Sequence, residues 1–146
     1  MTQERTKLSI IIVTWNVREL LDRGLASVYA SWGGRPGLEV IVVDNASSDG
    51  TVEMVRSTYP QVRLIANTQN LGFAGGNNQG LAAARGDDLL LLNADTEVVD
   101  DALARLVAYL DEHPATGIVG PHLLNPDGTT QSSRRRFPTL VTIFLE

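Results

Sequence analysis

The sequence predicts an α/β domain with a mostly parallel sheet flanked by helices, and three observations lead to that prediction. Apolar runs with the length and β-branched or leucine content of strands occur at residues 8–13, 39–43, 62–66 and 89–92. Segments with helical spacing of apolar residues separate these runs, which is the pattern of parallel strands joined by crossover helices. The 146 residues contain no internal repeat and no low-complexity linker, so we expect one domain, residues 1–146.

The first strand, residues 8–13, is continuous and apolar, as expected for a strand buried on both faces. Asn16 and Glu19 follow it at the spacing of a capping box, which predicts the start of a helix. Glycine and proline within residues 31–37 end that helix.

The middle of the chain repeats this arrangement. Residues 39–43 form the second strand, a helix is expected over about 51–59, and residues 62–66 form the third strand. The glycine-rich residues 70–80 then predict a loop that leads into a short helical segment at 81–85.

The last third begins with the leucine strand at 89–92. Asp100 or Asp101 is expected to cap a helix whose apolar face is Leu103, Leu106, Val107 and Leu110. A short strand is expected at 118–119, a turn at 125–128, and the start of an apolar, amphipathic helix at 139–145.

The composition excludes several classes of protein. With 43% hydrophobic and 20% charged residues the chain is typical of a soluble globular domain, and a net charge of -5 argues against general nucleic-acid binding. The absence of cysteine excludes a disulfide framework and thiolate chemistry. The polar start is not a signal peptide, and no apolar run approaches the ~20 residues of a spanning helix, so we expect a cytoplasmic protein.

The leucine strand is predicted to lie in the middle of the sheet, covered on both faces. Asn93 and Asp95 follow it, two residues apart, so in extended chain they project from the same side. Both offer oxygen to a hard divalent cation, although Asp95 could instead cap the next helix.

Three strands end in polar residues, at 14–16, 44–45 and 93–95, and in a parallel sheet these ends converge. The Asp44 carboxylate can accept the imide N–H of uracil or thymine, a bond that contributes roughly 1.5–3 kcal/mol. The alternative for Asp44 is a turn that opens the next helix, and the two roles are compatible. Trp15 either stacks on a base or closes the sheet edge.

The glycine-rich run has two interpretations. Gly72, Gly75, Gly76 and Gly80 allow either close approach to a ligand or a packing turn before a helix. In the first case Asn77 and Asn78 lie at a helix N-terminus, which favours anions. The run is neither a dinucleotide fingerprint nor a P-loop.

Charge favours a metal ion in such a site. One carboxylate about 4 Å from a diphosphate charge repels it by ~4 kcal/mol near a protein surface. A divalent cation held at Asp95 reverses that sign. The carboxylates expected near the strand ends are Asp44, Asp49, Asp87, Asp88 and Asp95.

The chain resembles the family 2 glycosyltransferases in motifs whose order and spacing match along nearly its whole length. These motifs are residues 9–16, 42–51, 70–80 and 91–95, and residues 119–138 look like the bacterial rhamnosyltransferase-like branch. The resemblance implies a GT-A fold, which is Rossmann-like, and inverting transfer of a sugar from a nucleotide-diphosphate donor with Mg²⁺ or Mn²⁺.

The resemblance also assigns roles to residues. It places Asp44 on the base, Thr14 and Asn16 around the nucleoside and Asn78 near the donor, while Asp95 matches the last position of the family's Asp-x-Asp metal motif. The candidate donor-binding residues are Thr14, Trp15, Asn16, Asp44, Asn45, Gly72, Asn78 and Asn93, with Asp95 as the candidate metal ligand.

Two features depart from the family pattern. Asn93 replaces the first aspartate of the metal motif, and no acidic, aromatic-rich stretch that would supply the catalytic base follows Phe137. We therefore expect the donor-binding half of a glycosyltransferase, with its catalytic residues unknown. The alternative is a non-catalytic nucleotide-sugar binding module.

The expected partners are a UDP- or dTDP-sugar and a saccharide or lipid-linked acceptor, in cell-envelope polysaccharide synthesis at the inner face of the membrane. The basic residues 134–136 form a solvated loop, a diphosphate clamp or a contact to a lipid phosphate. The apolar segment 139–145 predicts self-association.

Overall fold

The computed structural model describes residues 5–132. Their elements are β1 (Leu8–Thr14), α1 (Arg18–Trp32), β2 (Leu38–Asp44), α2 (Thr51–Thr58), β3 (Arg63–Ala66), α3 (Gly72–Ala83), β4 (Asp88–Asn93) and α4 (Ala102–Glu112). All four strands are parallel, in the order β3-β2-β1-β4. The predicted α/β class with a parallel sheet and flanking helices is confirmed.

The main core lies between one face of the sheet and helices α1, α2 and α4. Ile10, Ile12 and Val42 of the central strands are at most 1% exposed, and they belong to one apolar cluster with Leu25 of α1 and Leu103 of α4. The other face of β1 and β2 is covered by α3. The continuous apolar runs of β1 and β2 therefore reflect burial on both faces.

The glycine-rich run is itself a helix, so the prediction of a loop that leads to a helix at 81–85 was wrong. Within α3, a Cβ on Gly76 would lie 2.7 Å from Val13 Cγ1, and one on Gly80 would collide with Ile11 Cγ2. These glycines let the helix approach β1 closely, so both serve packing, although inside a helix and not in the expected turn before one. Asn77 and Asn78 consequently lie inside α3 and not at its N-terminus.

The leucine strand β4 is an edge strand among the described strands, because it pairs with β1 alone. Leu90 and Leu92 pack on the main core, whereas Leu89 and Leu91 are 51% and 50% exposed. Among residues 5–132, β4 is therefore neither central nor covered on both faces, so that prediction was wrong. The reason is that α3 lies over β1 and β2 and does not extend over β4.

The helix and strand ends show further differences. Asn16 does not cap α1, because Asp49 Oδ2 instead accepts the Arg18 N–H at 2.9 Å. Asp101 is the N-cap residue of α4, as expected, but its side chain pairs with Arg105 at 2.7 Å. Residues 118–119 form no strand, and Ile118 is 92% exposed.

The turn at 125–128 is confirmed by a bond of 2.9 Å from the Gly128 N–H to the Asn125 carbonyl. The basic residues 134–136 and the apolar segment 139–145 lie outside the described residues.

Candidate functional site

The predicted convergence of strand ends is confirmed by the register of the sheet. Thr14 of β1 pairs with Asp44 of β2, and Val13 pairs with Asn93 of β4. The three polar strand ends therefore lie side by side on one edge, which we call the carboxyl edge. This is the edge at which open α/β sheets bind ligands.

Asp44 is the most buried charged group at this edge, with 1% exposure. Its Oδ2 accepts the Ser47 N–H at 2.9 Å, which confirms the turn role. Its Oδ1 is buried and has no hydrogen-bond partner within residues 5–132. A buried oxygen without a hydrogen-bond partner destabilises the fold. Asp44 Oδ1 is therefore free to take the other role predicted for Asp44, which is to accept the imide N–H of a base.

Thr14 and Trp15 differ in their surroundings. The Thr14 hydroxyl is buried beside Asp44 and also lacks a partner in the described part of the chain. Trp15 is 56% exposed, so it does not close the sheet edge as a buried side chain. Its ring is open to a ligand or to solvent.

The loops after β1 and β2 are joined by polar contacts. Asn16 Oδ1 accepts the Ser48 N–H at 2.8 Å, and Asn16 N–H donates to Ser47 Oγ at 2.9 Å. Beside them is a cleft of about 360 Å³. Its lining residues are Asn16, Val17, Arg18, Glu19, Leu20 and Asp49.

Asp49 is a structural carboxylate in these loops. Partial burial raises the pKa of its carboxyl group, but hydrogen bonds from the Thr51 hydroxyl and the Arg18 and Thr51 N–H groups together hold that pKa below its ordinary value of 3.8. The charged form ties the start of α1 to the start of α2.

Asn45 and Gly72 are in direct contact. Asn45 is 2% exposed and its Nδ2 donates to the Gly72 carbonyl at 3.1 Å. Gly72 has φ of +73°, which explains glycine at this position, and its N–H donates to Asn70 Oδ1 at 2.8 Å. Asn78 is exposed on α3.

Asn93 and Asp95 are both exposed at the end of β4, with a turn closed by the Thr96 N–H and the Asn93 carbonyl at 3.1 Å. Asp95 does not cap α4, whose N-cap is Asp101. No cluster of three or more acidic, histidine or cysteine ligands occurs within residues 5–132. One carboxylate and one amide oxygen fit a cation that arrives with a diphosphate, because Mg²⁺ is commonly held by one or two carboxylates and phosphate oxygens.

Helix α1 supports this turn through residues that the sequence analysis missed. A Cβ on the buried Gly24 would lie 3.1 Å from the Thr96 carbonyl, so the helix and the turn are in close contact. The Ser27 hydroxyl accepts the Val98 N–H at 2.8 Å. A glycine inside an otherwise apolar helix pattern was the signal available in the sequence.

Asp87 and Asp88 lie at the opposite edge of the sheet, so their predicted place near the candidate site was wrong. Asp87 precedes β4 and Asp88 is its first residue, and they form ion pairs with Arg5 at 2.8 Å and Lys7 at 3.0 Å, respectively. An apolar cavity of about 310 Å³ lies beside them, between β4 and α4. Among residues 5–132, its only charged lining groups are these paired aspartates, so the carboxyl edge is the better candidate site.

The sequence matches the family model "Glycosyl transferase family 2" over residues 9–145. This chain belongs to glycosyl transferase family 2. Its fold agrees with that assignment, because it superposes on solved glycosyltransferases of this architecture, so the predicted GT-A fold is confirmed.

Three relatives illustrate the similarity. N-acetylglucosaminyl-diphospho-decaprenol L-rhamnosyltransferase of Mycobacterium tuberculosis is 28% identical over 145 residues, which are 92% of this chain and 47% of that protein. Mannosyltransferase PcManGT from Pyrobaculum calidifontis, solved with GDP-Man and Mn²⁺, is 32% identical with a TM-score of 0.69 over 84% of this chain and 37% of its own. S. aureus TarS 1–349 with UDP is 27% identical with a TM-score of 0.68 over 75% and 33%.

The chain thus spans about half the length, or less, of the relatives it matches. Among the helices of residues 5–132, none is both long and apolar enough to cross a bilayer.

Proposed function

We propose that residues 1–146 act as the donor-binding domain of an inverting glycosyltransferase that uses a pyrimidine nucleoside diphosphate sugar. The unpartnered, buried Asp44 Oδ1 carries this proposal. The imide N–H of uracil or thymine supplies the donor that this oxygen lacks. Because Oδ1 is not exposed to solvent, the edge must open locally before the base can bind.

The neighbouring groups extend the site from the base to the diphosphate. The Thr14 hydroxyl lies beside Asp44 and offers a second unpartnered oxygen. Asn16 follows on the same edge, and Asn78 is exposed on α3. The UDP complex of TarS, a structural relative, is consistent with this choice of base, whereas the GDP-Man complex of PcManGT makes guanosine nucleotides the necessary comparison.

Asp95, with Asn93, is proposed to hold a divalent cation, Mg²⁺ or Mn²⁺, against the diphosphate. A cation bound there neutralises the diphosphate and stabilises it as a leaving group. A site with a single carboxylate binds such a cation weakly without phosphate oxygens. Cation and nucleotide are therefore expected to bind together.

In the proposed transfer, the acceptor hydroxyl oxygen forms a bond to the sugar C1 while the bond from C1 to the diphosphate oxygen breaks. The nucleoside diphosphate leaves with the electron pair, and a general base takes the hydroxyl proton. We assign no base among the described carboxylates, because Asp44, Asp49 and Asp95 already have other roles. The name of the mycobacterial relative supports a lipid-linked saccharide acceptor, and hence action at the inner face of the membrane, in cell-envelope polysaccharide synthesis.

Thermal-shift and calorimetric titration with UDP, dTDP, GDP and ADP tests this proposal, each with Mn²⁺ and with a chelator. At a hundredfold excess over its dissociation constant, the preferred nucleotide should add about 2.7 kcal/mol to stability. The pyrimidine diphosphates should act only with Mn²⁺. Equal shifts for all four nucleotides contradict the base assignment, and equal shifts with chelator contradict the metal assignment.

A pair of variants isolates the metal site. Asp95→Asn should abolish the effect of Mn²⁺ on nucleotide affinity. Asp100→Asn is the matched control, because Asp100 is also exposed and its φ of +49° suits asparagine. A cation effect that survives in Asp95→Asn, or that is lost equally in both variants, shows that Asp95 is not the ligand.

A further inference from the structure

Three side-chain amides form a continuous network between two strand ends and α3. Asn67 Nδ2 donates to Asn45 Oδ1 at 3.0 Å and to Gln79 Oε1 at 2.8 Å, so both of its N–H groups are used. Gln79 Nε2 returns a bond to Asn67 Oδ1 at 3.0 Å. Asn45 Nδ2 completes the network at the Gly72 carbonyl.

This network attaches α3 at two points on one side of the helix. Gly72 and Gln79 are seven residues, or two turns, apart, which places them on the same face at a separation of roughly 10 Å. Between them, Gly76 faces Val13 without a side chain. The glycine surface lets α3 lie close to β1 but presents no side chain that would stop it from sliding along the strand. The directional hydrogen bonds therefore contribute to where this part of α3 lies.

Asp44 is held by different bonds. Its carbonyl accepts the Asn67 N–H at 2.9 Å, and the Asn45 N–H donates to the Thr14 carbonyl at 2.9 Å. These are backbone contacts, and they do not depend on the side chains at 67 and 79. A side-chain substitution in the network can therefore displace α3 and leave the Asp44 backbone in place.

We propose that Asn45, Asn67 and Gln79 are positioning residues that hold the first turn of α3 beside Asp44, and that this placement sets the affinity for the diphosphate part of the donor. The role in diphosphate affinity rests on the proposed function, whereas the role in placing α3 does not. Asn45 was predicted to bind the donor. Since its buried amide already bonds to Gly72 and Asn67, we reassign it to positioning.

The test compares Gln79→Met with the exchange variant Asn67→Gln/Gln79→Asn, which retains two amides of the same combined length. Calorimetry with UDP and UMP in Mn²⁺ measures the two parts of the site separately. Gln79→Met should weaken UDP about tenfold and UMP less than about twofold, and the exchange variant should recover UDP affinity to within about threefold. Gln131→Met, at an exposed glutamine in the 124–130 hairpin region, should change neither.

Hydrogen exchange provides a second measurement that needs no ligand. Amides of residues 73–77 should exchange at least about tenfold faster in Gln79→Met, while those of α2 stay unchanged. Equal weakening of UDP and UMP, or no weakening of either, overturns the role in diphosphate affinity. If the wild-type chain binds neither nucleotide, the proposed function fails, and unchanged exchange at 73–77 then overturns the positioning role as well.

Discussion

Strand β1 carries a buried hydroxyl near each end, and the two hydroxyls differ in their partners. The strands begin at the opposite edge of the sheet, which we call the amino edge. Ser9, which is fully buried near that edge, donates to Glu39 Oε2 at 2.6 Å and accepts the Gly86 N–H at 2.8 Å. Thr14, 2% exposed at the carboxyl edge, has no partner for its hydroxyl within residues 5–132. Two hydroxyls in one strand therefore have opposite hydrogen-bond status.

The same difference holds for charged groups. At the amino edge, Lys7 Nζ lies 2.6 Å from Asp111 Oδ1 and 3.0 Å from Asp88 Oδ2. Asp88 Oδ2 makes no hydrogen bond of good geometry within residues 5–132, but the Lys7 ammonium compensates its charge. At the carboxyl edge, Asp44 Oδ1 has no cation or donor beside it in the described part of the chain.

Backbone strain is also found at the carboxyl edge. Asn16 and Ala46 have φ of +54° and +64°, in a region that residues other than glycine rarely adopt. Strain and unpartnered buried groups are tolerated where function needs them. The comparison indicates that polar groups of the amino edge are paired within the fold, whereas Thr14 and Asp44 at the carboxyl edge each keep a buried oxygen without a partner among residues 5–132.

The largest expected effect is a loss of UDP affinity on substitution of Asp44, with little change in the free energy of unfolding. Asp44→Asn should weaken UDP by roughly 2–3 kcal/mol, on the order of 30- to 150-fold, because the charge-assisted bond to the base is lost. Stability should change by less than about 1 kcal/mol, since the amide oxygen can still accept the Ser47 N–H. Calorimetry and urea unfolding measure the two quantities, and normal affinity with reduced stability identifies Asp44 as a turn former alone.

The next effect is a loss of stability at the amino edge. Ser9→Ala should lower the free energy of unfolding by about 2 kcal/mol, because the partly buried Gly86 N–H loses its acceptor. Urea unfolding measures this loss, and UDP affinity per folded molecule should stay unchanged. Ser57→Ala, at an exposed serine of α2, should cost no more than about 0.5 kcal/mol. A similarly small cost for Ser9→Ala contradicts a stabilising role for the Ser9 hydrogen bonds.

Thr14→Val should have a smaller effect on stability than Ser9→Ala. Valine has nearly the same shape and removes a hydroxyl that has no partner among the described residues, so stability should stay within about 0.5 kcal/mol or rise. UDP affinity should fall if the hydroxyl contacts the nucleoside. A loss of about 2 kcal/mol in urea unfolding shows instead that the hydroxyl is bonded in the folded protein.

The smallest expected effects concern pH, and they have opposite signs at the two edges. A hydrogen bond to Asp111 and the nearby Asp88 carboxylate raise the pKa of Lys7 above its ordinary 10.5, so its contribution is complete below pH 10.5 and is lost as pH rises through the folded value. The pKa of Asp49 is lowered from 3.8, so its contribution is present above that pH and is lost as pH falls through the folded value.

Urea unfolding across pH checks these signs by difference. The gap in stability between wild type and Lys7→Met should shrink above pH 10.5, and the gap between wild type and Asp49→Asn should shrink below pH 3.8. A gap that stays constant with pH in either pair means that the corresponding contacts do not depend on charge.

Much of the site follows from local sequence. The polar residues after three apolar strands correctly predicted that Thr14, Asp44 and Asn93 end neighbouring parallel strands, because apolar runs mark strands and crossovers make them parallel. Asp44 in a turn was likewise readable, since Asp side chains commonly accept backbone N–H groups nearby. The assignments of donor and metal residues stay predictions.

The position of α3, the edge position of β4 and the amide network were decided by tertiary structure alone. Four glycines predict a loop by propensity, but Gly76 and Gly80 serve a helix packed closely on Val13 and Ile11. Asn67 and Gln79 carry no local pattern, and they meet because the residue after β3 lies within hydrogen-bond distance of α3 in the folded chain. The periodicity of apolar residues shows which residues are buried. Which helix or strand packs against them depends on contacts between residues distant in the chain, and these cannot be read from local sequence.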